Sequence, residues 1–266
     1  MSKKRPGVEA AIQLAKCQDP AVWNQVVGHR DEVLSKMENK NLPQLQANAD
    51  QLGEELRNET KKACITKSEL LEVVIPWKFA VGKPRHALLG QLASNTESDV
   101  TEATQQGIAR AKELSSGDDT SNDSAIQDAV NSIAKLRGVG PATASVILSL
   151  VRPEIFGYMY DEVIDCFLPK RTYTIKAYLA MNDECTKVAR RLNKHNGAGG
   201  GRTNEFCWTP AKVATTLWVA ARAKANGMEI VTTKGNSSMK SEKRQSVDDH
   251  ASGRSNSASK RQRKRK

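Results

Sequence analysis

LRGVGPATASVILSLVRPEIFGYMYDEVID, running from Leu136 to Asp165, is the stretch around which the rest of the chain is organised. Just before it lies SAIQDAVNSIAKL, Ser124 to Leu136, where Ile126, Ala129, Val130, Ile133 and Leu136 recur at the spacing of one buried helical stripe. That helix runs into Arg137-Gly138-Val139-Gly140, a turn whose glycines accept backbone angles that a Cβ forbids and whose Val139 can point inward as an apolar plug. Pro141 suits the first turn of a second helix, because its missing N–H is an unpartnered donor there anyway. Ala144, Ile147, Leu148 and Val151 give that second helix an apolar face. Residues 124–151 are thus predicted to be two helices joined by a tight glycine turn.

A helix, a turn of form apolar-X-Gly-apolar-Gly and a second helix containing Thr143-Ala144 make up the helix-hairpin-helix pattern. Physically such a turn grips phosphate: bare glycines let a DNA backbone approach, and the N–H groups opening the second helix favour an anion. The grip holds DNA without reading its sequence. Arg137, Gly138, Val139, Gly140 and Thr143 are therefore the candidate DNA-binding residues, and a hairpin that simply packs two helices is the plain alternative. Together with the loop and acid after it, the hairpin resembles the helix-hairpin-helix DNA glycosylase superfamily, in which a loop containing Gly and Pro leads to an essential aspartate. Here the loop is Arg152 to Tyr160 and the acid is Asp161, one residue later than in the family. The resemblance implies an all-α, two-lobed helical domain with DNA and an extruded base in the cleft, Asp161 as catalytic carboxylate, and Tyr158 and Tyr160 lining the base pocket. Read as residues alone, Asp161 also fits a helix cap or surface acid. Glu162 and Asp165 compete with it, and the tyrosines fit ordinary loop packing.

The same resemblance sets the subclass. Bifunctional members carry a lysine just before the Thr-Ala of the second helix and form a Schiff base with it. That position is Ala142 here, which implies a monofunctional enzyme without lyase activity. Some members hold an iron–sulfur cluster on four closely spaced cysteines. Cys17, Cys64, Cys166, Cys185 and Cys207 are scattered, so no cluster and no other cofactor is expected. His29, His86, His195 and His250 are isolated, and no metal site is predicted. The odd, dispersed cysteines fit reduced thiols better than a disulfide framework.

Upstream, Asp19-Pro20 opens a helical pattern through Trp23 to Met37, broken near Gly28, and Leu42 to Asn58 reads as another helix. Thr66 and Glu69 fit a capping box for a helix over 68–79, with a kink or early stop at Pro76. Val81-Gly82-Lys83-Pro84-Arg85-His86 then forms a basic turn, in which Lys83 and Arg85 are candidate phosphate contacts or simply solvated. Trp77-Lys78, Gly82-Lys83 and Arg85 are also similar to the pattern of the Amun-like nuclear proteins of eukaryotes, a branch with a glycosylase-type domain. A polar break over 114–123 is where a lobe crossing is expected. Beyond the hairpin, Tyr173 to Met181 and Glu184 to Leu192 read as separate helices, followed by a glycine-rich loop and a last helix from Thr209-Pro210 to Ala225.

The domain plan is a flexible N-terminus over 1–18, a helical domain over 19–229 and a disordered basic tail over 230–266. Of the net charge of +11, Ile230 to Lys266 supplies 11 Lys and Arg against 3 Asp and Glu, a net +8. The body is therefore close to neutral, and its charge alone does not demand a nucleic-acid partner. The tail is poor in apolar residues, which cannot offset the entropy of ordering. It ends in Lys260, Arg261, Arg263, Lys264, Arg265 and Lys266, a pattern of nuclear localisation signals read by an import receptor, or of a non-specific nucleic-acid arm. No apolar run reaches the ~20 residues of a membrane span, and Met1 to Pro6 lacks the apolar core of a secretory signal. The sequence therefore predicts a nuclear protein binding double-stranded DNA and resembling a monofunctional DNA glycosylase. A non-catalytic nuclear DNA-binding or chromatin-associated protein on the same fold is the rival, and a hairpin adaptor that binds no DNA is the third reading.

Overall fold

The caps that the sequence supplies decide where the helices start. Asp19 accepts a hydrogen bond from the Ala21 N–H, with Pro20 in the first turn, and opens the second helix. Thr66 and Glu69 form a reciprocal capping box, as the spacing predicts, and Thr96 with Asp99 forms another. Thr209 accepts from the Lys212 N–H ahead of Pro210. The computed structural model describes residues 5–115, 123–196 and 207–232, and among them the regular structure is helical, with no strand. In chain order the elements are α1 (Val8–Lys16), α2 (Pro20–Gly28), α3 (Arg30–Lys36), α4 (Leu42–Arg57), α5 (Lys67–Glu69), α6 (Ile75–Val81), α7 (Leu89–Ala93), α8 (Glu97–Glu113), α9 (Asp123–Ala134), α10 (Pro141–Val151), α11 (Asp161–Phe167), α12 (Ile175–Asn196) and α13 (Pro210–Ala225). None of the described helices is long and apolar enough to cross a membrane.

Pro76 does not end its helix, which runs on to Val81, and it follows directly on a local distortion. A π turn over Leu70–Val74 links α5 to α6, so the proline falls just beyond a widened turn that tolerates its missing N–H. α8 pairs closely with α9, and α10 packs on α4, α8 and α9. At the α8–α9 crossing a Cβ on Gly107 would lie 2.5 Å from the Ile133 side chain, so only glycine allows this approach. α13 is the hub of the other side, packing on α1, α2, α3, α11 and α12. Its Val213, Leu217, Trp218, Ala220 and Ala221 are all buried.

Several expectations need correction. Residues 8–16, expected within a flexible N-terminus, form α1, whose Val8, Ala10, Ala11 and Leu14 are buried against α13 and α11. α8 and α9, which flank the polar break over 114–123, pack directly on each other, and residues 116–122 of that break lie outside the described residues. α8 itself escapes the periodicity reading because Ala103, Thr104, Gly107 and Ala111 do much of its packing and carry little apolar signal. The two helices expected between Tyr173 and Leu192 are one, α12. Asn182-Asp183, which reads as a break, is mid-helix, with Asn182 buried as an anchor. The tail beyond residue 232 and the glycine loop over 197–206 lie outside the described residues, as do Lys260 to Lys266.

Candidate functional site

The hairpin turn is built from both sides. Val139 is buried, as its plug role requires, and its N–H donates to the Leu136 carbonyl at 3.1 Å. Gly138 sits at φ +76°, in the left-handed region, and a Cβ there would meet the Leu92 side chain at 3.0 Å. Buried Asn95, just beyond α7, accepts from the Arg137 N–H at 2.9 Å and donates to the Arg137 carbonyl at 3.0 Å. Asn95 thus clamps the turn as a second strand of backbone would. Gly140 differs: its φ is −117° and nothing lies within 4 Å of the space a Cβ would take. Its bareness is unused by the protein itself. The α10 N-terminus beside it has no side-chain cap.

The loop from Arg152 to Tyr160 is rigid in its bonding. The Arg152 guanidinium donates to the carbonyls of Ala111, Lys112 and Leu114, closing the end of α8. Asn182 accepts from the Gly157 N–H at 2.6 Å and donates to the Ile155 carbonyl, while Ser145 of α10 accepts from the Met159 N–H. These anchors fix where α11 begins. Its acids then part company. Glu162 is 1% exposed and ion-pairs with Arg222 of α13 at 2.8 Å, at an angle that leaves both its oxygens without a hydrogen-bond donor. Burial pushes its carboxyl above the usual range, against the pull of Arg222. Asp165 is bound by Arg171 and by the Arg5 backbone N–H at 2.8 Å. Neither lines the pocket described below.

Asp161 alone of the three lines that pocket. Its Oδ1 accepts from the Tyr173 hydroxyl at 2.6 Å, and its Oδ2 accepts from the Arg5 guanidinium, with Nε at 3.2 Å. Burial raises its pKa, but Tyr173, Arg5 and Arg171 outweigh burial and hold the carboxyl below the usual range. Asp161 is therefore a carboxylate at neutral pH, already paired with a cation.

The pocket has a volume of about 130 Å³ and joins the hairpin's Gly138, Gly140, Ala142 and Thr143 to Asp161 and Tyr173. Gly82, Lys83 and Arg85 close it on one side, Lys78 and Leu88 also line it, and Tyr158, Met159 and Tyr160 complete it. That volume lies below the ~300–1,000 Å³ of sites for drug-sized ligands and suits a group of about one ring. Val81 fixes the basic turn in place, its carbonyl accepting from the Trp218 indole at 3.1 Å and from Arg222 at 3.2 Å. Arg85 lies over the Tyr173 ring at 4.6 Å. Tyr158 and Tyr160 contribute mainly as a floor: they pack on each other at 3.9 Å and continue into Trp77 and Trp218.

No family model, no curated protein and no solved structure matches this chain. The site therefore stands on its own geometry. Of the residues singled out in the sequence, Lys83, Arg85, Gly138, Gly140, Thr143, Tyr158, Tyr160 and Asp161 meet at one pocket. Arg137, exposed, and Val139, turned inward, belong to the hairpin but do not line it. Sequence reasoning missed Arg5, Lys78, Asn95 and Tyr173. Arg5 reaches Asp161 across 156 positions and Asn95 bonds Arg137 across 42, whereas Tyr173 lies only 12 residues beyond Asp161 and Lys78 a few residues before Lys83.

Proposed function

We propose that this chain binds double-stranded DNA through its hairpin and removes a base by hydrolysing the N-glycosidic bond of an extruded nucleotide. The observation that carries the reading is the convergence of the hairpin glycines, the basic turn and an ionised Asp161 on one small pocket. The packing supports a two-lobed arrangement of the glycosylase type: α1–α3 and α11–α13 pack chiefly among themselves, as do α4–α6 and α8–α10, and the pocket draws on α6, α10 and α11. A base inside a duplex is out of reach, so the nucleotide must flip, at a cost of a few kcal/mol that is least for a damaged or mispaired base. The N–H groups around Gly138 and Gly140 hold the backbone 3′ to it, and Lys83 and Arg85 neutralise phosphates. Asp161 stabilises the positive charge that develops on the sugar as the bond breaks, and orients water for attack at C1′. The reading invokes no metal and no cofactor. The C-terminal cations engage an import receptor and place the protein in the nucleus.

Single-turnover reactions on lesion-bearing and mismatched duplexes, developed with alkali to reveal abasic sites, test this. Wild type yields abasic product, and Asp161→Asn lowers the rate by about 10²- to 10⁴-fold while still binding DNA. Product from the variant at the wild-type rate overturns the role of Asp161.

A second reading has its own support. The Arg5–Asp161 pair neutralises the one carboxylate that lines the pocket among the described residues. That pairing favours a non-catalytic DNA-binding protein on the same scaffold. Salt-sensitive duplex binding with no abasic product on any duplex selects it.

A further inference from the structure

Arg5 is held in two unlike ways. Its main chain is pinned: the N–H donates to Asp165 at 2.8 Å, and the carbonyl accepts from the Val8 N–H at 3.3 Å, at the start of α1. Two residues on, Gly7 lies so close to the Ala221 carbonyl of α13 that no Cβ fits between them. Arg171 fixes Asp165 in its turn. From that pivot the Arg5 side chain reaches out to Asp161, where its Nε and one terminal N–H converge on the same oxygen, Oδ2. The Arg5 side chain is 21% exposed against 12% for Asp161, so the cation is the more open member of the pair. Asp161 does not depend on it alone, because the Tyr173 hydroxyl donates to Oδ1 at 2.6 Å. Nor does Arg5 line the pocket, so its departure would uncover the carboxylate without removing a wall.

We propose that Arg5 is a two-position arginine: in the free protein it neutralises Asp161, and in the complex its guanidinium passes to a phosphate of the bound duplex. This rests on the DNA-binding half of the proposed function and requires no base excision. A guanidinium fork fits two oxygens of a phosphate as well as it fits a carboxylate, whereas here both N–H groups share a single carboxylate oxygen. The pair is only partly buried, so parting it costs far less than separating charges in the interior. Lys83 and Arg85 already gather positive charge at the same opening, where a phosphate backbone would be drawn.

The N-terminal strap is then a latch on the site. Its backbone stays docked and only one side chain moves. While the site is empty, Asp161 is screened by a cation. Once DNA is seated, the carboxylate faces the nucleotide with Tyr173 as its remaining donor, so its charge becomes available only where a substrate is present.

The test measures duplex affinity of the full chain over a range of salt, because each phosphate that a cation neutralises adds about 0.9 to the slope of log K against log salt. Arg5→Ala is expected to lower that slope by about 0.9, and Arg5→Lys to keep it. Asp161→Asn is expected to tighten binding about fivefold at an unchanged slope, since Arg5 already counts among the phosphate contacts and the variant removes only the cost of freeing it. Thermal melting checks that all three variants fold. A slope that is the same in Arg5→Ala as in wild type means that Arg5 stays on Asp161 in the complex, and overturns the proposal. So does a slope that steepens in Asp161→Asn, which marks a cation newly released by the variant. In both cases the chain still binds DNA and that reading stands. A wild type that binds no duplex at any salt brings down both.

Discussion

In the proposed excision Asp161 would meet two opposing demands. Its pairing with Arg5 and Tyr173 keeps it ionised, and the same cation offsets the negative charge that a positive sugar would use. Because its native pKa is lowered, the stability this pairing supplies is whole above the ordinary carboxylate value of ~3.9 and is lost as pH falls through the native value. Arg5→Ala should therefore raise the Asp161 pKa and move the acid limb of any excision rate upward in pH, which a pH–rate profile reads directly. The Tyr173 hydroxyl, pushed up to about 12 by burial and then by Asp161 itself, stays a donor across that range. Glu162 behaves oppositely. Its raised pKa means that its charge is unfavourable in the fold, so Arg222→Met should destabilise by about 3–5 kcal/mol at pH 7. The loss should shrink at lower pH as Glu162 takes up a proton. Urea unfolding at the two pH values checks the sign.

At the scale of elements, the two hairpin glycines separate structure from binding. Gly138→Ala forces a side chain into a left-handed position against Leu92 and should cost about 1–3 kcal/mol. Gly140→Ala meets nothing and should leave thermal melting unchanged, so a weakened duplex affinity in that variant reports directly on backbone approach. Unchanged affinity would remove the hairpin from the DNA reading. The other element to probe is the N-terminal strap. Gly7 lies at φ +76°, and a Cβ there would come within 2.1 Å of the Ala221 carbonyl of α13. Gly7→Ala should therefore undock α1, lower the melting temperature, and release Arg5 from Asp161. Its acid limb should then shift in the same direction as that of Arg5→Ala.

For the whole molecule, charge and core are divided along the chain. The body is close to neutral, while the C-terminal 37 residues carry most of the net charge. Removing residues 260–266 should abolish nuclear accumulation of a tagged protein, and unchanged accumulation would assign those cations elsewhere. Duplex affinity of the full chain should fall steeply between low and physiological salt, because phosphate contacts release counterions.

Residue order alone settles whatever depends on neighbours in the chain. The 124–151 hairpin, the Thr66–Glu69 capping box and the Val139 plug all come from spacing within about one helical turn or one loop. Residue types also brought Lys83 and Arg85 under consideration, and the family resemblance Tyr158 and Tyr160, though not their meeting. The remainder belongs to tertiary packing. Arg5 reaches Asp161 across 156 positions, Asn95 clamps Arg137 across 42, and Lys78 enters a pocket whose other wall lies on α10 and α11. The same packing turned a stretch expected to be flexible into α1, whose Val8, Ala11 and Leu14 are buried where α1 packs on α11 and α13. Local periodicity records which face of a helix is apolar. Which charges are buried together depends on helices that are remote in sequence, and that is the part no local pattern carries.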